Sequence, residues 1–266
     1  MCRLRRFLAV ACAAAALSGC GAQETAGTTA ARTRATDPTA PSAPASGPLP
    51  ESTAPTEVPT TTASLPTTTR APAGPPCTAV AHLGDSTSVG MISASYLPDP
   101  SQRLDAQYAR VGADEQHLEI DGARSIVETH HGSPNARDTA LRLRNGGFRG
   151  CWVFALGTTD SANVGAGSTF ALADRIDRMM AVAGSDPVLW VKAKTLLPDG
   201  AWSNQNMQQW NLALDEAARR YPNMRIYDWP SVVRDEWFAT DGIHYTSHGY
   251  AERGRLIADA LALLAG

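Results

Sequence analysis

Three side chains far apart in the chain form its most chemically suggestive set: Ser86, Asp241 and His244. Ser86 stands in "HLGDSTSVG", where a short apolar run breaks at Gly84-Asp85-Ser86 and a further glycine, Gly90, follows. A serine hydroxyl is a weak nucleophile until a neighbouring base takes its proton. An imidazole suits that task near neutral pH. Near the C-terminus "ATDGIHYTSHGY" supplies one, His244, three residues after Asp241. One turn can present both, the carboxylate orienting the ring and stabilising its charged form. The bland alternatives are a bend at Ser86 and a plain turn at Asp241-Gly242.

Positioning these groups requires a sheet. The apolar runs "TAVAHLG", "HLEIDG", "CWVFALG", "PVLWVKAK" and "MRIYDW" have the length and flanking turn signals of buried strands. Helical periodicity fills the gaps between them. Leu104, Tyr108 and Val111 mark one helix that stops at Gly112. Phe170, Ala173, Ile176, Met180 and Ala183 mark a second, and Met207, Trp210, Leu214 and Ala217 a third. Tyr250, Leu256, Ile257, Ala260 and Leu264 mark a C-terminal helix. Strand alternating with helix predicts an α/β fold, a parallel sheet with helices on both faces. Sites in such sheets form outside the carboxyl ends of the strands. The residues there are Gly84-Asp85-Ser86, then Gly122, then Gly157-Thr158-Thr159-Asp160.

Those blocks, with Asp241-x-x-His244, resemble the SGNH (GDSL) hydrolase superfamily in type and order, over residues 77–266. The resemblance implies a flavodoxin-like three-layer sandwich around a five-stranded parallel sheet, and a serine esterase of the bacterial lipoprotein type. Ser86 would attack an ester carbonyl, His244 would take and return the proton, and Asp241 would orient the imidazole. Neither metal nor cofactor is implied. The oxyanion hole of the family uses the serine N–H, the N–H of a second-block glycine and the side-chain amide of an asparagine. Gly122, in "EIDGARSI", is assigned the second donor; Gly112, in "RVGADE", competes but reads better as a helix stop. The asparagine position holds Thr159, whose hydroxyl donates one hydrogen bond from a shorter arm. That departure keeps one rival open, a lipoprotein that binds esters or glycans through a weakened site; a second, an acyltransferase running the same triad, needs only a sugar hydroxyl in place of water.

Composition and address narrow the partners. The net charge is −3, and losing Arg3, Arg5 and Arg6 with a leader takes it to −6, so nothing points to nucleic acid. "MCRLRR" followed by "FLAVACAAAALSG" reads as an export signal over residues 1–19, too short for a permanent membrane span. Leu17-Ser18-Gly19-Cys20 resembles a bacterial lipobox, which would place a lipid on Cys20; ordinary secretion is the alternative. Residues 20–76 are then a lipidated cysteine and a Thr/Ala/Pro-rich tether with too few large apolar side chains to offset the entropy of ordering. The domain is expected outside the cytoplasm, held to the membrane only through the lipid. Its substrate would be an acylated small molecule, or an envelope glycan or glycolipid.

Cys77 and Cys151 remain in the domain. In an exported protein they are expected to pair. Each sits at a strand start, roughly six or seven residues before that strand's terminal glycine, so adjacent parallel strands would bring them level. The resemblance, which sets the first and third strands side by side, agrees. The remaining polar residues draw plainer expectations. His130-His131 reads as a solvated loop, His82 and His248 as structural, "RLRNGGFRG" as a basic turn and Asp160 as a tie for its own loop. In "TLLPDGAWSNQNMQQW", Trp202, Asn204 and Gln205 are candidates for touching substrate.

Overall fold

The computed structural model describes residues 77–264; residues 1–76, and with them the expected leader, Cys20 and tether, lie outside the described residues. Five strands form one sheet: β1 (Ala79–Gly84), β2 (Glu115–Ile120), β3 (Cys151–Ala155), β4 (Val188–Val191) and β5 (Met224–Tyr227). Their order is β2-β1-β3-β4-β5 and every neighbouring pair is parallel. This is the architecture expected from the sequence.

The inner strands β1, β3 and β4 are almost wholly apolar because both their faces are covered, whereas the edge strands β2 and β5 are half-exposed and carry Glu115, Gln116, His117, Glu119 and Arg225. Successive side chains point to opposite faces, and the chain uses that alternation to fill two cores. Ala81, Leu83, Trp152, Phe154, Val188 and Trp190 enter one; Val80, Val153, Ala155, Leu189 and Val191 enter the other. The first core is closed by α3 (Ala136–Asn145), α5 (Leu172–Ala183) and α6 (Asn204–Arg220). The second is closed by α1 (Ser86–Ile92), α2 (Leu104–Arg110), α7 (Trp229–Val232) and α8 (Ser247–Leu264). The stripe Met207, Trp210, Leu214 and Ala217 is fully buried, as its spacing predicts.

Three details differ from the expectations. The second helix begins at Leu172, which leaves Phe170 outside it as an exposed ring beneath the Arg178 guanidinium, and Ala173 falls on its exposed face. "RLRN" is the end of α3 rather than part of a turn. Gly157-Thr158-Thr159-Asp160 opens a further helix, α4 (Thr158–Gly165), where the sequence suggested a loop.

Cys77 and Cys151 are joined by a disulfide with Cα atoms 5.5 Å apart. The register sets Cys151 opposite Val80, so Cys77 reaches the bond from just before β1 rather than level with its partner. At the other end the register aligns Gly84 with both Ile120 and Ala155. The segments after β1, β2 and β3 therefore emerge side by side, which is what a shared site at that rim requires.

Candidate active site

The chain turns sharply after Gly84, and Asp85 caps α1 by accepting from the Thr87 N–H at 2.9 Å and the Thr87 hydroxyl at 2.7 Å. Ser86 thus occupies the first position of the helix, where its backbone N–H has no partner within the helix and the helix dipole favours negative charge. The second carboxylate oxygen of Asp85 accepts from the Thr158 N–H at 3.2 Å. One fully buried side chain therefore joins the starts of α1 and α4.

His244 arrives from the opposite end of the chain. Its Nε2 lies 2.9 Å from Ser86 Oγ and its Nδ1 lies 2.7 Å from Asp241 Oδ2. The other Asp241 oxygen accepts from the Ile243 and His244 N–H groups, each at 2.9 Å. Burial pushes the Asp241 carboxyl up, but the hydrogen bonds from His244 and from these two amides outweigh it and hold the group below the ordinary carboxylate range. Asp241 is charged wherever the imidazole must be oriented. The turn is closed by the Ala239 N–H donating to His244 O at 2.8 Å, and Gly242 takes φ +67° within it.

Ser86, Ala123, Thr159, Trp202, Ile243 and His244 line one open cleft of about 310 Å³. Thr159 is placed there by α4, whose preceding residue Gly157 has φ +127° and packs against Trp210 so closely that a Cβ would lie 2.0 Å from Trp210 Nε1. Gly122 sits on the exposed turn after β2, and the residue of that turn that lines the cleft is its neighbour Ala123, held at φ +54°. Gly112 follows the C-terminus of α2 with φ +86°, as a helix stop. Of the three residues named from sequence as touching substrate, Trp202 lines the cleft, while Gln205 is exposed on α6 and not part of the lining. Asn204 turns inward, its Oδ1 accepting from the Thr195 N–H at 3.4 Å.

Asp160 is fully buried one residue beyond Thr159 and accepts from the Ile126 N–H at 2.9 Å and from Arg175 at 2.8 Å. Burial pushes its carboxyl up, to about 6, against the pull of those two donors. Arg175, itself buried, also grips Glu128 through both carboxylate oxygens, one of them at 2.6 Å. Burial would raise Glu128 too, yet its bonds from Arg175, Ser125 and Ser168 hold it well below the usual range. These three charges fasten the loop after β2, with Ala123 near its start, to α4 and α5. In the sequence Asp85 stood only as part of the Gly84-Asp85-Ser86 block with no role of its own, and nothing singled out Arg175 or Glu128. Only the Gly84-Asp85-Ser86 break carried a signal for one of them, since aspartate before a helix is a common cap.

The remaining histidines lie away from the cleft lining. His82 is buried in β1 with Nδ1 2.6 Å from the Tyr108 hydroxyl, and burial, reinforced by the nearby Arg253 charge, drives its pKa down to about 3. His248 lies in the first turn of α8 against Trp237. His130 and His131 are exposed, ring to ring at 4.1 Å.

The arrangement can deprotonate a hydroxyl, attack a carbonyl, and return the proton to a departing alcohol. The fold is that of the SGNH hydrolases. The chain is similar to an inhibitor-bound aryl esterase of M. smegmatis (18% identity, 70% of this chain and 98% of that one, TM-score 0.55). It is also similar to a carbohydrate acetylesterase family member from Sinorhizobium meliloti (17%, 71% and 99%, 0.56). A third similar structure is the C-terminal catalytic domain of a peptidoglycan O-acetyltransferase from Streptococcus pneumoniae (14%, 72% and 93%, 0.51). No protein-family model matches the chain, and no curated protein matches it.

Proposed function

We propose that the protein is a serine esterase that cleaves O-acyl esters through Ser86, His244 and Asp241. The observation that carries this reading is the unbroken contact of 2.9 Å and 2.7 Å from hydroxyl to imidazole to carboxylate. His244 Nε2 accepts the Ser86 proton as Oγ bonds to the acyl carbon. The tetrahedral intermediate then expels the alcohol, which leaves with that proton. Water, deprotonated by the same imidazole, attacks the acyl-serine and releases the carboxylic acid and free Ser86. The oxyanion would be met by the Ser86 N–H, by an N–H of the Gly122-Ala123 turn and by the Thr159 hydroxyl. The acetylesterase and O-acetyltransferase neighbours support an acylated carbohydrate as the substrate class.

A second reading, acyl transfer, is favoured by that O-acetyltransferase neighbour together with the openness of the cleft. A sugar hydroxyl in place of water would complete the cycle without any other change. The proposal also places the protein outside the cytoplasm with a lipid on Cys20, for which the lipobox-like sequence and the disulfide speak.

The decisive experiment is covalent labelling. A fluorophosphonate should add to the protein once, and Ser86→Ala should abolish both the label and the hydrolysis of a short-chain chromogenic ester. Folded protein that neither labels nor hydrolyses would overturn the reading in favour of a binding lipoprotein. In the native host the label should travel with membranes, and Cys20→Ser should move it to the soluble fraction.

A further inference from the structure

We propose that Trp202 is a stacking platform that selects a pyranose ring on the alcohol side of the scissile ester, an inference that rests on the esterase reading. Of the six tryptophans, Trp152, Trp190, Trp210 and Trp229 are fully buried and Trp237 is 7% exposed; Trp202 alone stands 44% exposed. It does so in the cleft that holds Ser86 and His244. Tryptophan has a large apolar body with one polar handle, so an uncovered indole beside a reactive hydroxyl offers a ligand a broad flat face to cover.

The backbone around it is fixed while the ring is not covered. The Thr195 hydroxyl donates to Trp202 O at 2.7 Å, and the Asn206 amide donates to Ala201 O at 2.9 Å. The Ser203 N–H donates to Gly200 O at 3.1 Å, and the Asn204 N–H to Leu197 O at 2.8 Å. Ser203 then caps α6 through Asn206 N–H at 3.4 Å. An aromatic ring on a locked backbone loses little freedom on binding, which is what makes such residues effective anchors.

The chemistry of the cleft identifies what the ring would cover. A long acyl chain needs an enclosed apolar trough, but this cleft is open, and beside Trp202 only Ile243 is a sizeable apolar side chain among Ser86, Ala123, Thr159 and His244. The cleft is open to water, and the exposed amides of Gln205, Gln208 and Gln209 follow the indole on α6. A pyranose has both an apolar face for the indole and hydroxyls that suit an open, wet cleft. Its ring C–H groups, weakly positive, meet the negative face of the indole, while its hydroxyls stay hydrated or reach amides.

The test compares methyl 6-O-acetyl-glucopyranoside with ethyl acetate, which has the same acyl group and no ring. Trp202→Ala should lower kcat/KM for the sugar ester at least tenfold more than for ethyl acetate, mainly through KM, and Trp202→Phe or Trp202→Tyr should restore most of the difference. Equal losses on both esters, or a phenylalanine no better than alanine, would overturn the assignment. A second arm does not depend on turnover. In Ser86→Ala protein the sugar ester should shift the Trp202 indole N–H resonance, and ethyl acetate at the same concentration should not. No shift defeats the platform even where small esters are hydrolysed. A shift in a protein that never labels with fluorophosphonate defeats the esterase reading and leaves the platform standing.

Discussion

Thr159 is the residue at which this chain and the SGNH pattern part, and the structure gives the difference a location. The side chain lines the same cleft as Ser86 and His244, on the first turn of α4. A hydroxyl there can donate to an oxyanion, though over a shorter reach than an amide and with a free rotor. Losing an oxyanion donor typically lowers kcat about a hundred- to a thousandfold, so a weaker donor should show the lower end of that range. Thr159→Ala should therefore reduce kcat by about a hundredfold with little change in KM, and Thr159→Asn should match or exceed the parent. Steady-state kinetics on one short-chain ester reads both, and an alanine variant with undiminished kcat would place the third donor elsewhere.

Among the elements, the junction of α1 and α4 carries most of the precision, and Asp85 makes it. Its carboxylate serves Thr87 with one oxygen and Thr158 with the other, fully buried. Asp85→Asn keeps the shape but replaces one acceptor by a donor, so whichever way the amide turns, one N–H is left facing N–H. A buried unsatisfied donor costs about 1–3 kcal/mol. Urea unfolding should show a loss of that size together with a fall in kcat as the nucleophile and Thr159 lose their common tether; an unchanged midpoint would mean the bridge contributes nothing. Such long-range ties were the part of the site hidden in the sequence. Ser86, Asp241 and His244 were legible because each signal is local: a strand broken by Gly-Asp-Ser, and a carboxylate three residues before an imidazole. Arg175 and Glu128 lie 47 positions apart and meet only because α5 packs across the loop after β2. α3 escaped because its buried stripe, Ala136, Thr139, Ala140 and Leu143, is made of small residues among arginines. Asn135, which accepts from the Asp138 N–H at 2.8 Å, was the one clear start signal. The inner strands β1, β3 and β4, each a compact apolar run between turn residues, needed no tertiary information, whereas the edge strand β2 showed only as far as its Leu118 and Ile120.

For the molecule as a whole, two buried groups give the fold an acid response of opposed signs. His82 has its pKa lowered to about 3 from an ordinary 6.5, so its contribution is fully present above pH 6.5 and is lost as the unfolded chain takes up a proton below it. Asp160, raised to about 6 from 3.8, destabilises the fold when charged, and that penalty disappears as pH falls through 6. Between pH 6 and 4 the two partly cancel. Replacing the histidine exposes the difference: relative to the parent, His82→Gln should gain about 2 kcal/mol of unfolding free energy on going from pH 7 to pH 5. Urea titrations at the two pH values measure it, and a parallel pair of curves would show that His82 ionises freely in the fold. At the cleft the segment bearing Trp202 and the turn bearing His244 share a seam. The Leu196 N–H donates to Gly242 O at 2.7 Å, and Gly242 rests within 3.4 Å of the Leu196 and Leu197 side chains, measured from where its Cβ would stand. A foreign sequence grafted onto the Trp202 segment would also reseat the turn that carries His244, so under the proposed reaction selectivity and rate would change together.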